Sequence, residues 1–75
     1  MKIKIPDLDL DKNDELILKA WYKKDGEQVK QGDALVDLVT NKAVYTIEAE
    51  QEGVIKVLVG DNEVVKEEQV VGEIK

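Results

Sequence analysis

The side chains that could take part in chemistry are lysines and carboxylates, because the 75-residue sequence contains no histidine, cysteine, serine or arginine. Without these residues, no Ser-His or Cys-His pair and no thiolate metal site can be assembled. An amine is then the available nucleophile, and Lys42 stands in a short polar segment between two apolar runs. A lysine in a turn is ordinarily only a solvated side chain. Because the chain lacks the usual catalytic side chains, any chemistry in which the domain takes part would be carried by a group attached to it.

Carboxylates are concentrated in residues 7–15. The spacing of Asp7, Asp9 and Asp11 is that of oxygen ligands in a calcium loop. The glycine and the bidentate glutamate of an EF-hand are missing, so we expect no metal site. A second acidic run, residues 48–52, is interpreted as a solvated turn.

The net charge of −6 arises from 17 acidic residues against 11 lysines. This balance argues against nucleic acid and anionic membrane as partners, because both attract a basic face. No apolar stretch reaches the length of about 18 residues that a membrane span needs, and residues 1–6 contain no apolar signal-peptide core. We therefore expect an intracellular location, in the cytoplasm or, in a eukaryote, in the mitochondrial matrix.

The apolar residues predict a single all-β domain over residues 1–75. They recur in short runs rich in Val and Ile, separated by Gly, Asp or Asn, and this pattern is typical of short strands joined by turns. No segment keeps the spacing of an amphipathic helix. Residues 6–15 are interpreted as a surface loop, because their aspartates and asparagine favour turns.

The sequence repeats itself at an offset of 36 residues. Residues 25–30, DGEQVK, align with residues 61–66, DNEVVK, with four of six positions identical. Within this match, Gly26 and Asn62 are the residue types that adopt a left-handed backbone at least cost. Two such halves predict a flattened barrel with pseudo-twofold symmetry: two small antiparallel sheets packed face to face, a barrel-sandwich hybrid.

The same symmetry predicts where Lys42 lies. Residues 40–43 form a hairpin tip between two strands, and their counterpart in the second half is the end of the chain. The hairpin and the termini should therefore lie at opposite ends of the barrel. Lys42 should point into solvent there.

Motifs along nearly the whole chain resemble those of the biotinyl and lipoyl attachment domains. They are IPDL at 5–8, WYKKDGEQVKQG at 21–32, LVDLVTNKA at 35–43, GVI at 53–55 and QVVGEI at 69–74. Around the lysine, the biotin branch resembles Met-Lys-Met and the lipoyl branch resembles Thr-Asp-Lys-Ala. The segment Thr40-Asn41-Lys42-Ala43 matches the lipoyl branch at three positions.

The resemblance implies a non-catalytic lipoyl carrier domain, as in the dihydrolipoamide acyltransferases of 2-oxo acid dehydrogenase complexes. It implies that Lys42 carries lipoate in amide linkage, as a swinging arm for acyl groups and reducing equivalents. Thr40, Asn41 and Ala43 would present this lysine. The expected partner contacts are Thr40 and the loop residues Asp9, Leu10, Asp11 and Glu15.

The partners that the resemblance implies are a lipoate ligase or lipoyl transferase, a thiamine-diphosphate-dependent decarboxylase, an acyltransferase core and a flavin-dependent dihydrolipoamide dehydrogenase. Five residues depart from the family pattern: Asn41 replaces the usual Asp, Asp9, Asn62 and Glu68 each replace a usual Gly, and Lys23 occupies a position often filled by Val. Two alternatives stay open. One is a biotin carboxyl carrier, against which the missing methionines argue; the other is an unmodified lipoyl-like interaction module.

Overall fold

Eight short strands make up the computed structural model, which describes residues 1–11 and 13–75. The strands are β1 (Lys2–Lys4), β2 (Leu16–Trp21), β3 (Gln28–Val29), β4 (Ala34–Val39), β5 (Val44–Glu48), β6 (Gly53–Val57), β7 (Glu63–Val65) and β8 (Val70–Ile74). They form two four-stranded antiparallel sheets, in the orders β1-β8-β6-β3 and β5-β4-β2-β7. Within the described ranges, no helix is long and apolar enough to cross a membrane. The prediction of an all-β fold with two small antiparallel sheets is confirmed.

A pseudo-twofold relation connects the two sheets, as the internal repeat predicts. Exchanging β5, β4, β2 and β7 for β1, β8, β6 and β3 converts one strand order into the other. The turns obey the same relation. The Oδ1 atom of Asp25 accepts the N–H of Val57 at 2.8 Å, and Oδ1 of Asp61 accepts the N–H of Trp21 at 3.2 Å. Each half of the sequence is therefore hydrogen-bonded, through the aspartate of its turn, to a strand of the other half.

One irregularity breaks the offset of the repeat. Strand β2 shifts register between Leu18 and Ala20 where it pairs with β4, whereas β6 pairs with β8 without a shift. This bulge places one extra residue in β2. Before the bulge, Leu18 opposite Leu38 is therefore the counterpart of Ile55 opposite Ile74, one residue further along than the repeat predicts.

Positive φ angles occur where the repeat requires them. Gly26 and Asn62 have φ of 88° and 64°, and Gly32 and Glu68 have φ of 90° and 68°. Asp9 has a φ of 54°. The three non-glycine residues are those that depart from a glycine in the family pattern. The left-handed backbone at Asn62 is confirmed.

The core lies between the two sheets, because alternate side chains of each strand point inward. Trp21 packs against this core and donates its indole N–H to the carbonyl of Val59 at 2.8 Å, so it is a packing residue. The buried apolar residues are Ile3, Ile5, Leu16, Leu18, Val29, Leu35, Val36, Leu38, Ala49, Ile55, Val65, Val71 and Ile74.

The interpretation of residues 48–52 as a solvated turn is wrong for Ala49, which is buried. Its N–H donates to the carbonyl of Asp33 and its carbonyl accepts the N–H of Gly32, both at 2.8 Å. In the other half, Ile5 makes the equivalent pair of hydrogen bonds with Gln69 and Glu68. This position closes the barrel in both halves.

The hairpin and the chain termini lie at opposite ends of the barrel, as predicted. The amino group of Met1 donates to the carbonyl of Ile74 at 2.8 Å. These two residues border a cavity together with Leu35, which lies at the start of β4. The hairpin follows Val39, the last residue of the same strand.

Candidate functional site

Lys42 lies at the tip of the hairpin that joins β4 to β5. The last paired residues are Val39 and Val44, and the N–H of Thr40 donates to the carbonyl of Ala43 at 2.9 Å. The Thr40 hydroxyl oxygen accepts the backbone N–H groups of Lys42 at 3.1 Å and Ala43 at 3.0 Å. Because these hydrogen bonds converge on one side chain, the turn that carries Lys42 has a defined shape.

Thr40 shapes the turn from inside. It is only 8% exposed, and its hydroxyl group is engaged within the hairpin. Asn41 is exposed and Ala43 is half-buried. The burial of Thr40 argues against its expected contact with a partner and leaves it the role of presenting Lys42.

The Lys42 amine projects into solvent beside the loop of residues 7–11 and 13–15, which we call the acidic loop. Its side chain is 64% exposed, and Nζ lies 3.3 Å from Oδ2 of Asp11 and 3.7 Å from Oδ2 of Asp14. The two carboxylates differ in environment, because the Asp11 side chain is exposed and the Asp14 side chain is 8% exposed. The acidic loop therefore lies beside the hairpin.

The acidic loop is anchored to the barrel. The Oδ2 atom of Asp14 also accepts the N–H of Asp11 at 3.1 Å, and the N–H of Leu8 donates to Oε2 of Glu67 at 2.6 Å. Leu8 and Leu10 are half-buried and pack against the core. The carboxylates near Lys42 are therefore held by local structure.

The remaining loop residues differ in accessibility. Asp9, Asp11 and Glu15 are exposed, so they are available to a partner. The N–H of Asp9 donates to Oδ1 of Asp7 at 3.0 Å, and this hydrogen bond lowers the pKa of the Asp7 carboxyl.

Asp14 is the residue of this site that sequence reasoning missed. A signal was present, because a carboxylate can accept the N–H of the residue three positions before it. Asp33 accepts the N–H of Lys30 in this way at 2.8 Å. The same spacing of Asp14 from Asp11 could have identified the pair.

A shallow cavity of about 440 Å³ opens at the foot of the hairpin. Ile17 and Val39 give it apolar walls, and the other residues that line it are Asn13, Glu15, Thr40 and Asn41. Two of its six lining residues are apolar, so the cavity has room for a small apolar group beside the hairpin. Among the described residues, no cluster of carboxylates is arranged to hold a metal ion.

The fold and the site together define a two-sheet β module that presents one lysine at a hairpin tip. Residues 1–74 match the model of the biotin/lipoyl family, which is described as "Biotin-requiring enzyme". The chain belongs to this biotin/lipoyl attachment family, as a lipoyl carrier domain.

Relatives and a solved structure support this assignment. The chain is 36% identical over 75 residues to the succinyltransferase component of the 2-oxoglutarate dehydrogenase complex from Buchnera aphidicola, covering 99% of this chain and 19% of that protein. It is 41% identical over 44 residues to the bovine lipoamide acyltransferase of the branched-chain complex, covering 59% and 9%. The solution structure of the lipoyl domain of the Azotobacter vinelandii 2-oxoglutarate dehydrogenase complex matches with a TM-score of 0.82 and 29% identity, covering 100% and 95%. The chain spans about a fifth of the length of the first of these relatives.

Proposed function

We propose that Lys42 carries lipoate in amide linkage and that the domain moves this group between the active sites of a 2-oxo acid dehydrogenase complex. The observation that carries the proposal is the exposed Lys42 amine at the tip of a hairpin shaped by Thr40. The segment Thr40-Asn41-Lys42-Ala43 matches the lipoyl branch of the family at three of four positions.

Attachment requires the lone pair of the Lys42 nitrogen. The amine moves away from Asp11 and Asp14, loses a proton and attacks the carbonyl carbon of an activated lipoyl group supplied by a ligase or transferase. A carbon–nitrogen bond forms as the bond from that carbon to the leaving group breaks; the leaving group departs with the bonding electron pair, and the nitrogen releases a second proton to give the neutral amide. The exposure of the side chain allows a modifying enzyme to enclose the amine, and the defined turn limits the orientations that the enzyme must accept.

When bound, lipoate supplies a dithiolane that accepts acyl groups and reducing equivalents, chemistry for which this cysteine-free chain has no side chain. The chain itself holds the root of the arm on a sheet-borne hairpin. A tether at the opposite end of the barrel would raise the local concentration of the arm at successive active sites. We assign the domain no catalytic residue of its own.

The proposed partners are a thiamine-diphosphate-dependent decarboxylase, an acyltransferase core and a flavin-dependent dihydrolipoamide dehydrogenase, in the cytoplasm or, in a eukaryote, in the mitochondrial matrix. The Asp11 carboxylate lies 3.3 Å from the Lys42 amine, and Asp9 and Glu15 are exposed on the same loop. They offer a negatively charged contact surface to a partner whose active-site entrance is basic. Relatives are named for 2-oxoglutarate, branched-chain and pyruvate complexes, so the substrate class is an acyl group derived from a 2-oxo acid.

The test is acyl transfer followed by intact mass. The lipoylated domain is incubated with thiamine-diphosphate decarboxylases for pyruvate, 2-oxoglutarate or branched-chain 2-oxo acids, each with its own substrate. One of them should add its acyl mass to the wild type and none should add it to Lys42→Arg. In parallel, biotin ligase should leave the mass unchanged. Biotin on Lys42 would favour a carboxyl carrier, and refusal of both cofactors would favour an unmodified interaction module.

A further inference from the structure

An apolar row crosses the outer face of the sheet that carries Lys42. In β2, Leu16 and Leu18 are buried in the core, so Ile17 between them faces outward. Ile17 pairs with Val39 and with Val64, and Val39 pairs with Val44, so four β-branched side chains form a continuous row over all four strands. We call these the outer apolar row: Val44, Val39, Ile17 and Val64.

The row is unusually open to solvent for apolar residues. Val44 is 63% exposed and Val64 is 61% exposed, while Ile17 and Val39 are half-buried. Contiguous exposed apolar surface on a small domain marks a binding surface more often than isolated apolar residues do.

The pseudo-twofold relation supplies an internal control for this row. On the other sheet, the counterparts of Val64, Ile17 and Val39 are Gln28, Val54 and Lys75. Two of these three are polar, although both sheets have the same strand order and pack on the same core. The fold therefore does not require an apolar outer row, and only the sheet that presents Lys42 has one.

The row lies within reach of the Lys42 side chain. Lys42 is three residues after Val39 and two before Val44, which is at most about 7–10 Å of extended chain. A lipoyl-lysine arm is about 12–14 Å long from its bond lengths. The arm can therefore cover Val44 and Val39 and enter the cavity between Val39 and Ile17.

Acylation changes what the side chain prefers to contact. The ammonium of the free lysine is attracted to Asp11 and Asp14. An amide has no charge for these carboxylates to attract, and the added chain is largely apolar. Both changes favour the apolar row over the acidic loop.

We propose that the outer apolar row, with the cavity walled by Ile17 and Val39, is a resting site for the lipoyl arm on this domain. The inference rests on the proposed function and deepens it, because it assigns this chain its own contact with the attached group. The open face makes the contact weak, so the arm exchanges between this surface and solvent. Partner active sites then compete with the resting site for the arm.

The experiment uses NMR spectroscopy on the domain lipoylated enzymatically, with intact mass confirming one lipoyl group. Nuclear Overhauser contacts are expected from the dithiolane and acyl-chain protons to the methyl groups of Ile17, Val39 and Val44. They should be lost in the Ile17→Thr, Val39→Thr double variant. They should persist in Val54→Thr, the matched change on the other sheet, and amide spectra establish that each variant is folded.

A second readout uses the reduced arm. Its thiols should be alkylated more slowly in wild type than in the double variant, with Val54→Thr resembling wild type. A singly lipoylated domain without contacts to the row, or with equal contacts to Val54, would overturn this inference and leave the proposed function standing. Failure of Lys42 to accept lipoate would overturn both.

Discussion

The Nζ atom of Lys42 lies 3.7 Å from Oδ2 of Asp14, a carboxylate whose side chain is only 8% exposed. The same oxygen accepts the N–H of Asp11, so one carboxylate joins the acidic loop to the hairpin that carries Lys42. Conversion of the amine to an amide removes the ion pair and leaves the hydrogen bond to Asp11. Acylation of the amine, as proposed, would therefore loosen the contact between loop and hairpin without unfolding the loop.

This arrangement predicts unequal roles for the two aspartates. Asp14→Ala removes both the ion pair and the acceptor of the Asp11 N–H, and should lower the free energy of unfolding by about 1–2 kcal/mol. Asp11→Ala removes only an exposed ion pair, which contributes less than about 1 kcal/mol. Urea denaturation of the unlipoylated domain compares the two variants. Equal losses would show that Asp14 does not anchor the loop.

The left-handed turns predict gains in stability on substitution by glycine. Glu68 has a φ of 68° and Asn62 a φ of 64°, and a Cβ atom is disfavoured in this region. Asn tolerates it better than Glu does. Glu68→Gly should raise the free energy of unfolding by up to about 1 kcal/mol, and Asn62→Gly should raise it by less. The gain is limited in both variants because glycine also gains entropy in the unfolded chain. Thermal melts compare the two glycine variants with the wild type and with Asn62→Val, which should be destabilised. An Asn62→Val variant as stable as Asn62→Gly would contradict the prediction.

Gly72 should not tolerate a side chain. A Cβ atom at this position would lie 2.8 Å from the carbonyl oxygen of Lys56 and 2.9 Å from Cη2 of Trp21. Gly72→Ala should therefore lower the free energy of unfolding by about 1–3 kcal/mol through overpacking. The control is Gly60→Ala, where the nearest atom would be 3.7 Å away. Chemical denaturation should separate the two variants clearly, and similar midpoints would mean that the Lys56 backbone and the Trp21 ring both move aside without cost.

The hydrogen bonds of the Asp37 carboxylate predict that the stability of the domain depends on pH in the acidic range. The Tyr22 hydroxyl donates to it, Thr46 donates at 2.7 Å, and these hydrogen bonds lower the pKa of Asp37, that of Tyr22 most. The same contact raises the pKa of Tyr22. Because the folded pKa of Asp37 is lowered, its contribution to stability is present above the unfolded value of about 3.9 and is lost as pH falls through the folded pKa.

Tyr22→Phe should therefore raise the pKa of Asp37 toward its usual value, and Thr46→Val should raise it less. Carbon-detected NMR titration of the Asp37 carboxyl measures both changes. A larger effect from Thr46→Val than from Tyr22→Phe would reverse the assigned order of causes.

The sequence predicted those parts of the fold that depend on local turn chemistry. The repeat around Gly26 and Asn62 was sufficient for the two-sheet symmetry, because a left-handed turn restricts residue choice within a few positions. The bulge in β2 and the burial of Ala49 were not predicted, since both depend on pairing between segments far apart in the chain.

The site divides in the same way. Lys42 and its place at the hairpin tip followed from the symmetry and the motif. The inward role of Thr40 and the contact of Asp14 with the amine required the three-dimensional turn, because composition alone describes both residues as polar and exposed. The outer apolar row also needed the strand register, which aligns residues from four separate strands.

Site mapping of enzymatic lipoylation tests the central claim most directly. The domain and its Lys42→Arg variant are incubated with lipoate, ATP and lipoate ligase, and the adduct is located by peptide mass spectrometry. We predict one lipoyl group, on Lys42, in the wild type and none in the variant. An adduct on any other lysine, or lipoylation that survives in Lys42→Arg, would contradict the assignment of Lys42 as the attachment site.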